Sequence, residues 1–243
     1  MSEDPDIDSG GWDESAAAWI AQVGENGDFG RQFVLDEPML AHIRGRSFSR
    51  ALDVGCGEGR FCRMMQSEGI VTLGIDPTVA LIERARALDP AGDYRIESAE
   101  SFDCEESAFD LVVSYLTLVD IDDIDRAISN MSRVLRPGGA LLVANLTSFN
   151  TAGIPEGWRR CGVSTHFSID RYLEQRSVWV EWNGIRIRNW HRPLETYMRA
   201  FLKAGLLLRD FIEPSPSGGN RKDVERYRRV PWFHMMEWQK PAL

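Results

Sequence analysis

Cysteine is scarce in this chain, and its placement excludes two classes of stabilisation. The four residues, Cys56, Cys62, Cys104 and Cys161, form no Cys-x-x-Cys pair and are widely scattered. That pattern argues against a disulfide framework and against a structural zinc site, and no metal is expected. Apolar runs of about 18 residues, the length that crosses a bilayer, are also missing. The acidic start from Met1 to Asp8 lacks the cationic and apolar regions of a signal peptide. The chain therefore reads as soluble and cytoplasmic, with no membrane partner. Positive charge is short as well: the net charge is −9 and the pI about 5.0. A polyanion is held by clustered Lys and Arg, so nucleic acid is not expected as a partner. One basic island, residues 221–229, breaks the trend and reads as a solvated loop or helix face, with a patch for an acidic substrate as the alternative. What the chain does have, 43% hydrophobic residues over 243 positions, suits one α/β domain with additions.

The most informative segment is 51–61, Ala-Leu-Asp-Val-Gly-Cys-Gly-Glu-Gly-Arg-Phe. An apolar run containing Asp53 reads as a buried strand, the alternating glycines as a tight turn, and Arg60 onward as a helix. Glycines at alternate positions remove the Cβ atoms that would keep a ligand away from the backbone. A second apolar run, 70–75, ends in Asp76. A carboxylate at that strand tip can accept both hydroxyls of a ribose, which points to an adenosine-bearing cofactor. Dinucleotide dehydrogenases use the same device with Gly-x-Gly-x-x-Gly spacing, so a nicotinamide-dependent oxidoreductase is an alternative reading.

The spacing here is Gly55-x-Gly57-x-Gly59, with Asp53 two residues ahead. Phe109-Asp110-Leu111-Val112-Val113-Ser114-Tyr115 follows as a fourth strand, and Leu135-Arg136-Pro137-Gly138-Gly139-Ala140-Leu141-Leu142-Val143 as a helix end, turn and fifth strand. In this order the segments resemble the class I S-adenosylmethionine (SAM)-dependent methyltransferases of the small-molecule type, most strongly over 50–145. Helical spacing at Phe61, Met64 and Met65, at Leu81, Ile82, Ala85 and Leu88, and at Ile124, Ile128, Met131, Val134 and Leu135 fits strand–helix alternation. Pro137-Gly138-Gly139 should stop the last of these helices. After a helix over 194–204, residues 206–212 and 231–238 read as two strands without an obvious helix between them.

The resemblance implies a Rossmann-like α/β fold: a seven-stranded, mostly parallel sheet with an antiparallel last strand and helices on both faces. Residues 1–48 are expected as an N-terminal helical cover. Residues 49–243 are expected as the methyltransferase domain, with a substrate lid inserted at about 146–192. In the insertion, Asn183-Gly184 between alternating runs is a strong hairpin signal, because a type I′ turn needs positive φ at both positions. A two-residue turn pairs Trp182 with Ile185, Val180 with Ile187, Glu181 with Arg186 and Trp179 with Arg188. Plain sheet edging is the alternative to a lid. Trp12, Ala16, Trp19, Ile20 and Val23 share one helical face, either as core packing or as a cover over the cofactor.

By the resemblance, Asp53, Gly55, Cys56 and Gly57 line the methionine part of SAM, with loop amides facing its carboxylate. Asp76 holds the ribose, and Pro77 sits against adenine. Ala99 and Glu100 contact adenine, with Ser98 replacing the usual acid. Ser114 and Tyr115 face the donor's amino group and methyl, while Trp19 and Arg31 are further cofactor candidates. S-adenosyl-L-homocysteine would be the product. For an acceptor that must lose a proton, the base candidates are His191, His166 and Asp120, with Tyr115 orienting the acceptor. Either histidine has a structural role as its alternative, and His42 and His234 read as structural. The expected partner is a small-molecule acceptor, apolar or aromatic by the tryptophans around it. A SAM-binding protein without methyl transfer is the remaining alternative.

Overall fold

In the computed structural model, residues 10–154 and 157–242 are described; the acidic start at 1–8 lies outside them. Helix α1 (Trp12–Val23), a π-helical turn at Arg31–Leu35 and α2 (Asp36–Ala41) precede the sheet. Strand and helix then alternate: β1 (Arg50–Val54), α3 (Arg60–Ser67), β2 (Val71–Asp76), α4 (Val79–Leu88), β3 (Asp93–Ile96), β4 (Phe109–Tyr115), α5 (Ile124–Val134) and β5 (Leu135–Leu146). Next come α6 (Ser148–Ala152), two hairpins, β6 (Trp158–Cys161) with β7 (Ser164–Phe167) and β8 (Arg176–Trp182) with β9 (Ile185–His191), and α7 (Leu194–Lys203). The chain closes with β10 (Leu207–Ile212), α8 (Arg221–Arg229) and β11 (Phe233–Gln239).

Seven strands form one sheet in the order β10-β11-β5-β4-β1-β2-β3. The five from β5 to β3 run parallel, and β11 runs antiparallel to both β5 and β10. The expected mixed sheet is therefore present. In β1 and β2 every residue but the first is buried, as a parallel strand covered on both faces requires. One core places α5 and α7 against the sheet through Ile128, Met131 and Phe201. The other uses Leu35, Met39, Phe61 and Met65 from the opposite side. Chain order reverses between β1 and β4, which opens a crevice at the carboxyl ends of these strands. No helix among the described residues is long and apolar enough to cross a membrane.

Two local expectations are corrected. The helix α5 ends at Val134, and Leu135 is already extended (φ −71°, ψ 138°), so the chain leaves the helix ahead of Pro137. The segment between β10 and β11, expected without an obvious helix, contains α8. Asn220 caps it by accepting from the Asp223 amide, and Arg221 pairs with Glu225 one turn on. None of its residues is fully buried, so no apolar periodicity advertised it.

The β8–β9 hairpin has the expected register, from Trp182↔Ile185 to Trp179↔Arg188. Asn183 and Gly184 at its tip have φ of 46° and 82°. On its outer face the cation–π contact is diagonal: Arg186 lies 4.2 Å from the Trp179 ring centre. Its inner residues Ile185 and Ile187 pack on Ala16, Trp19 and Val23 of α1 and on Leu81 of α4. Gly10 and Ser15 bind the β9 backbone at Arg188 and Arg186, so α1 and the hairpin form one layer.

Candidate functional site

A cavity of about 360 Å³ lies at the carboxyl ends of β1, β2 and β4, within the size range of small-molecule sites. Its floor is the glycine loop after β1, its sides come from residues 76–78, 98–100 and 115–117, and Trp12, Trp19 and Arg188 bring α1 and β9 over it. Of the expected cofactor residues, Asp53, Gly55, Cys56, Gly57, Asp76, Pro77, Ala99, Glu100, Tyr115, Trp19 and Arg31 all line this cavity.

The two glycines serve different ends. Gly57 has φ +55°, and a Cβ built there would meet no atom within 4 Å, so it would stand in the open cavity. Gly55 has φ +76°, and its Cβ would fall 2.2 Å from Thr117; that glycine lets the β4 loop close on β1. The loop is anchored by Gly55 and Cys56 amides donating to the Ile75 carbonyl. Cys56 is buried, which pushes its thiol well above the ordinary range and marks it as a packing residue.

Asp76 accepts from the Gly57 amide at 3.0 Å and from the Thr78 amide at 2.9 Å. Burial raises its pKa, against the lowering effect of those amides. Asp53 is 1% exposed; its Oδ2 accepts from the Cys62 thiol at 3.4 Å, while Oδ1 has no hydrogen-bond partner among the described residues. Burial pushes this carboxyl up to about 7. An orphaned buried carboxylate oxygen is costly unless a donor or cation arrives to meet it. The open Gly57 cradle, the orphaned Asp53 oxygen and the Asp76 carboxylate together fit an adenosine-bearing molecule with a cationic end.

Arg31 is held by Asp28 through its backbone amide and its guanidinium, and lies 4.7 Å from the Trp19 ring centre and 5.7 Å from that of Tyr115. The Tyr115 hydroxyl donates to Asp36 at 2.8 Å. Asp36 is in turn gripped by both terminal nitrogens of Arg60. Burial, then the Asp36 charge, holds the Tyr115 phenol well above its ordinary value. Tyr115 therefore offers a ring to the cavity, with its hydroxyl already engaged. Asp120 lines the cavity and accepts from Asn189 of β9 at 2.5 Å. Burial pushes it up to about 7, with Asn189 and Trp12 opposing.

Three expected residues are corrected. Ser114 is fully buried and does not line the cavity, because its neighbour Tyr115 does and adjacent strand residues face opposite ways. His166 is exposed on β7 opposite Arg159, away from the cavity lining. His191 is 1% exposed with both ring nitrogens engaged: Nε2 faces the Tyr172 carbonyl at 2.8 Å and Nδ1 the Thr151 hydroxyl at 2.8 Å. A proton on Nε2, donated to the carbonyl, leaves Nδ1 to accept from Thr151. Burial lowers its pKa and keeps it neutral. His191→Ala should lower stability by about 1–3 kcal/mol by orphaning those two groups. Thermal unfolding should report this at about 2–4 °C per kcal/mol, while ligand binding in the cavity stays as it was.

His42 and His234 are structural, as expected: His42 bridges the Pro38 carbonyl and Asp210, and His234 stacks on Phe211 with its pKa lowered to about 4 by burial. Sequence reasoning missed Thr117, Leu116 and Arg188 as lining residues. Arg188 was on the hairpin's polar face and could have been found there. Leu116 adopts φ 61° with its amide donating to Ala144 at 2.8 Å, a conformation no sequence signal announces for leucine.

Residues 52–143 match the family model described as "Methyltransferase domain". A malonyl-[acyl-carrier protein] O-methyltransferase of Enterobacter lignolyticus is 27% identical over 150 residues, 62% of this chain and 59% of the relative. A ubiquinone biosynthesis O-methyltransferase of Chelativorans sp. is 36% identical over 101 residues, 40% of each chain. The chain thus spans about three fifths, or less, of the length of these relatives. An S-adenosylmethionine-dependent methyltransferase from Mesorhizobium loti shares the fold, with TM-score 0.75 at 23% identity over 89% of this chain and all of that one.

Proposed function

We propose that the chain transfers a methyl group from SAM to an oxygen or nitrogen of a small-molecule acceptor, on the premise that residues 52–143 match the methyltransferase-domain model and the chain shares the fold of an S-adenosylmethionine-dependent methyltransferase. The observation that carries the reading is the conjunction at the β1 and β2 tips. An open Cβ position at Gly57, an orphaned Asp53 oxygen and the Asp76 carboxylate share one cavity. When bound, SAM supplies an electrophilic methyl group on a sulfonium; S-adenosyl-L-homocysteine is the product.

The residues divide the work by their chemistry. Asp76 takes the ribose hydroxyls. Asp53 and the loop amides take the methionine end, with Arg31 offering its charge to the carboxylate. Pro77, Ala99 and Glu100 flank the adenine. Trp12 and Trp19 exclude water, which favours a displacement whose transition state disperses the sulfonium charge. The described residues of the 1–48 segment act as the cover, through α1, and those of 146–192 as the lid, through the β8–β9 hairpin, because the two form one layer over the cavity. The relatives' names are those of O-methyltransferases, which favours oxygen as the acceptor atom, and the indole walls favour an apolar or aromatic acceptor.

Asp120 is the base we assign. Asp53 and Asp120 both line the cavity with carboxyls pushed up to about 7; with Asp53 given to the methionine end, Asp120 is left to remove a proton at neutral pH. Its ionised form is the competent one, so kcat should rise with pH through about 7. Asp120→Asn should remove that rise and lower kcat by about 10²–10⁴-fold, with SAM affinity little changed. A pH profile that is the same in the variant would move the base elsewhere.

The reaction itself is tested by incubating purified protein with methyl-labelled SAM and a metabolite extract. A labelled small molecule is the expected result. SAM binding with no methylated product would make the chain a binder without transfer, and NAD binding with indifference to SAM would make it an oxidoreductase.

A further inference from the structure

We propose that α8 and the β6–β7 hairpin form a docking surface for a protein partner whose contacting face is acidic. The surface contains Arg159, Arg160, Arg221, Lys222, Arg226, Arg228 and Arg229, all exposed. Residues 157–167 and 221–229 hold these seven cations and only two anions, Asp223 and Glu225. That is a net +5, which leaves −14 on the rest of a chain whose total is −9.

The two elements are one surface. The Arg229 guanidinium donates to the Thr165 carbonyl of β7 and lies 4.8 Å from the Trp158 ring centre of β6. The turn between β6 and β7 presents Val163, which is 100% exposed, as an apolar point among the cations. The helix spends little on the fold: none of its residues is fully buried, and it holds on through half-buried Val224 and Tyr227. A helix polar on nearly all sides is solvated and held by its own i,i+4 pairs, and where its charges cluster with one sign it is either a plain solvated face or a face that draws an oppositely charged partner.

Its position favours the second. The strand that follows α8 begins with Phe233, paired to Leu146 at the carboxyl end of β5, so α8 stands at the sheet end that carries the cavity. Tyr227 packs 4.8 Å from Phe29, two residues from the cavity-lining Arg31.

The alternatives to an acidic protein fit less well. Nine residues of helix span about 13 Å, roughly four base pairs of duplex at 3.4 Å each. A longer nucleic acid would leave the patch and meet a chain that is otherwise strongly acidic. An anionic membrane would need an exposed apolar stripe on α8, but Tyr227 is stacked on Trp232 at 4.5 Å. A protein presenting a compact acidic face with an apolar contact for Val163 meets the charge and stays within the patch.

The test measures binding of a fluorescein-labelled, Glu/Ala-rich helical peptide to the full chain by anisotropy. Poly(U) RNA and vesicles of anionic lipid serve as competitors. The peptide should bind, a Gln/Ala peptide should not, and affinity should fall about tenfold or more between about 0.05 and 0.2 M salt. The variant K222E/R228E, which touches neither the cavity nor a core, should lose about tenfold in peptide affinity and keep its unfolding temperature. Equal affinity of variant and wild type would overturn the proposal, and so would tighter binding of the RNA or the vesicles than of the peptide. The measurement uses no SAM, so its outcome is independent of methyl transfer.

Discussion

Asp76→Ala should weaken SAM binding by about 100-fold or more, the largest single-residue effect expected at the ribose. A carboxylate that accepts two hydroxyls makes two charge-assisted hydrogen bonds, each contributing about 1.5–3 kcal/mol. Those lone pairs are partly engaged by the Gly57 and Thr78 amides at 3.0 and 2.9 Å. The net gain on binding is therefore smaller than the gross sum. The same two bonds mean that the substitution loosens the glycine loop, so unfolding temperature should also fall. Asp76→Asn separates the two effects: it keeps an acceptor for the loop but offers one ribose oxygen contact fewer without the charge. Calorimetry should then rank wild type above Asn above Ala. Equal SAM affinity in all three would remove the ribose from the tip of β2.

The sheet and the glycine-loop side of the cavity were legible because their signals are local. A buried strand, a glycine turn and a carboxylate at the next strand tip lie within 51–76, and the Asn183-Gly184 turn fixes its own hairpin register through backbone handedness. What failed depended on partners distant in sequence. Nothing in the sequence around His191 reveals that Thr151 and Tyr172 occupy both its nitrogens. The Tyr115 hydroxyl is committed to Asp36, 79 residues earlier. Strand phase decided between Ser114 and Tyr115, and naming both left that decision to the fold. The helix α8 escaped for the opposite reason: it buries so little that it leaves no apolar period to read.

Gly57→Val is the sharper test of where the donor lies, because the protein itself leaves room for the new side chain. No atom of the described residues stands within 4 Å of the added Cβ, so the Cβ itself meets no steric clash beyond its chain neighbours. The cost to the fold is the left-handed φ of +55°, about 1–2 kcal/mol for a residue with a Cβ and more for a β-branched one. That cost should appear as a fall of a few degrees in unfolding temperature. The isopropyl group would project into the 360 Å³ cavity, at the place where the loop backbone must approach the ligand, and SAM affinity should drop by more than about 100-fold. Gly57→Ala, with nearly the same backbone strain and less volume, should bind at an intermediate level. Gly55→Ala provides the contrast. Its Cβ would lie 2.2 Å from Thr117, so overpacking at the β1–β4 junction, at about 1–3 kcal/mol beyond the φ strain, should dominate. Unfolding measurements and SAM titrations on the three variants therefore separate a glycine kept for the ligand from one kept for the fold. If Gly57→Val binds SAM as the wild type does, the loop is not the donor cradle, and the orphaned oxygen of Asp53 must await some other cation.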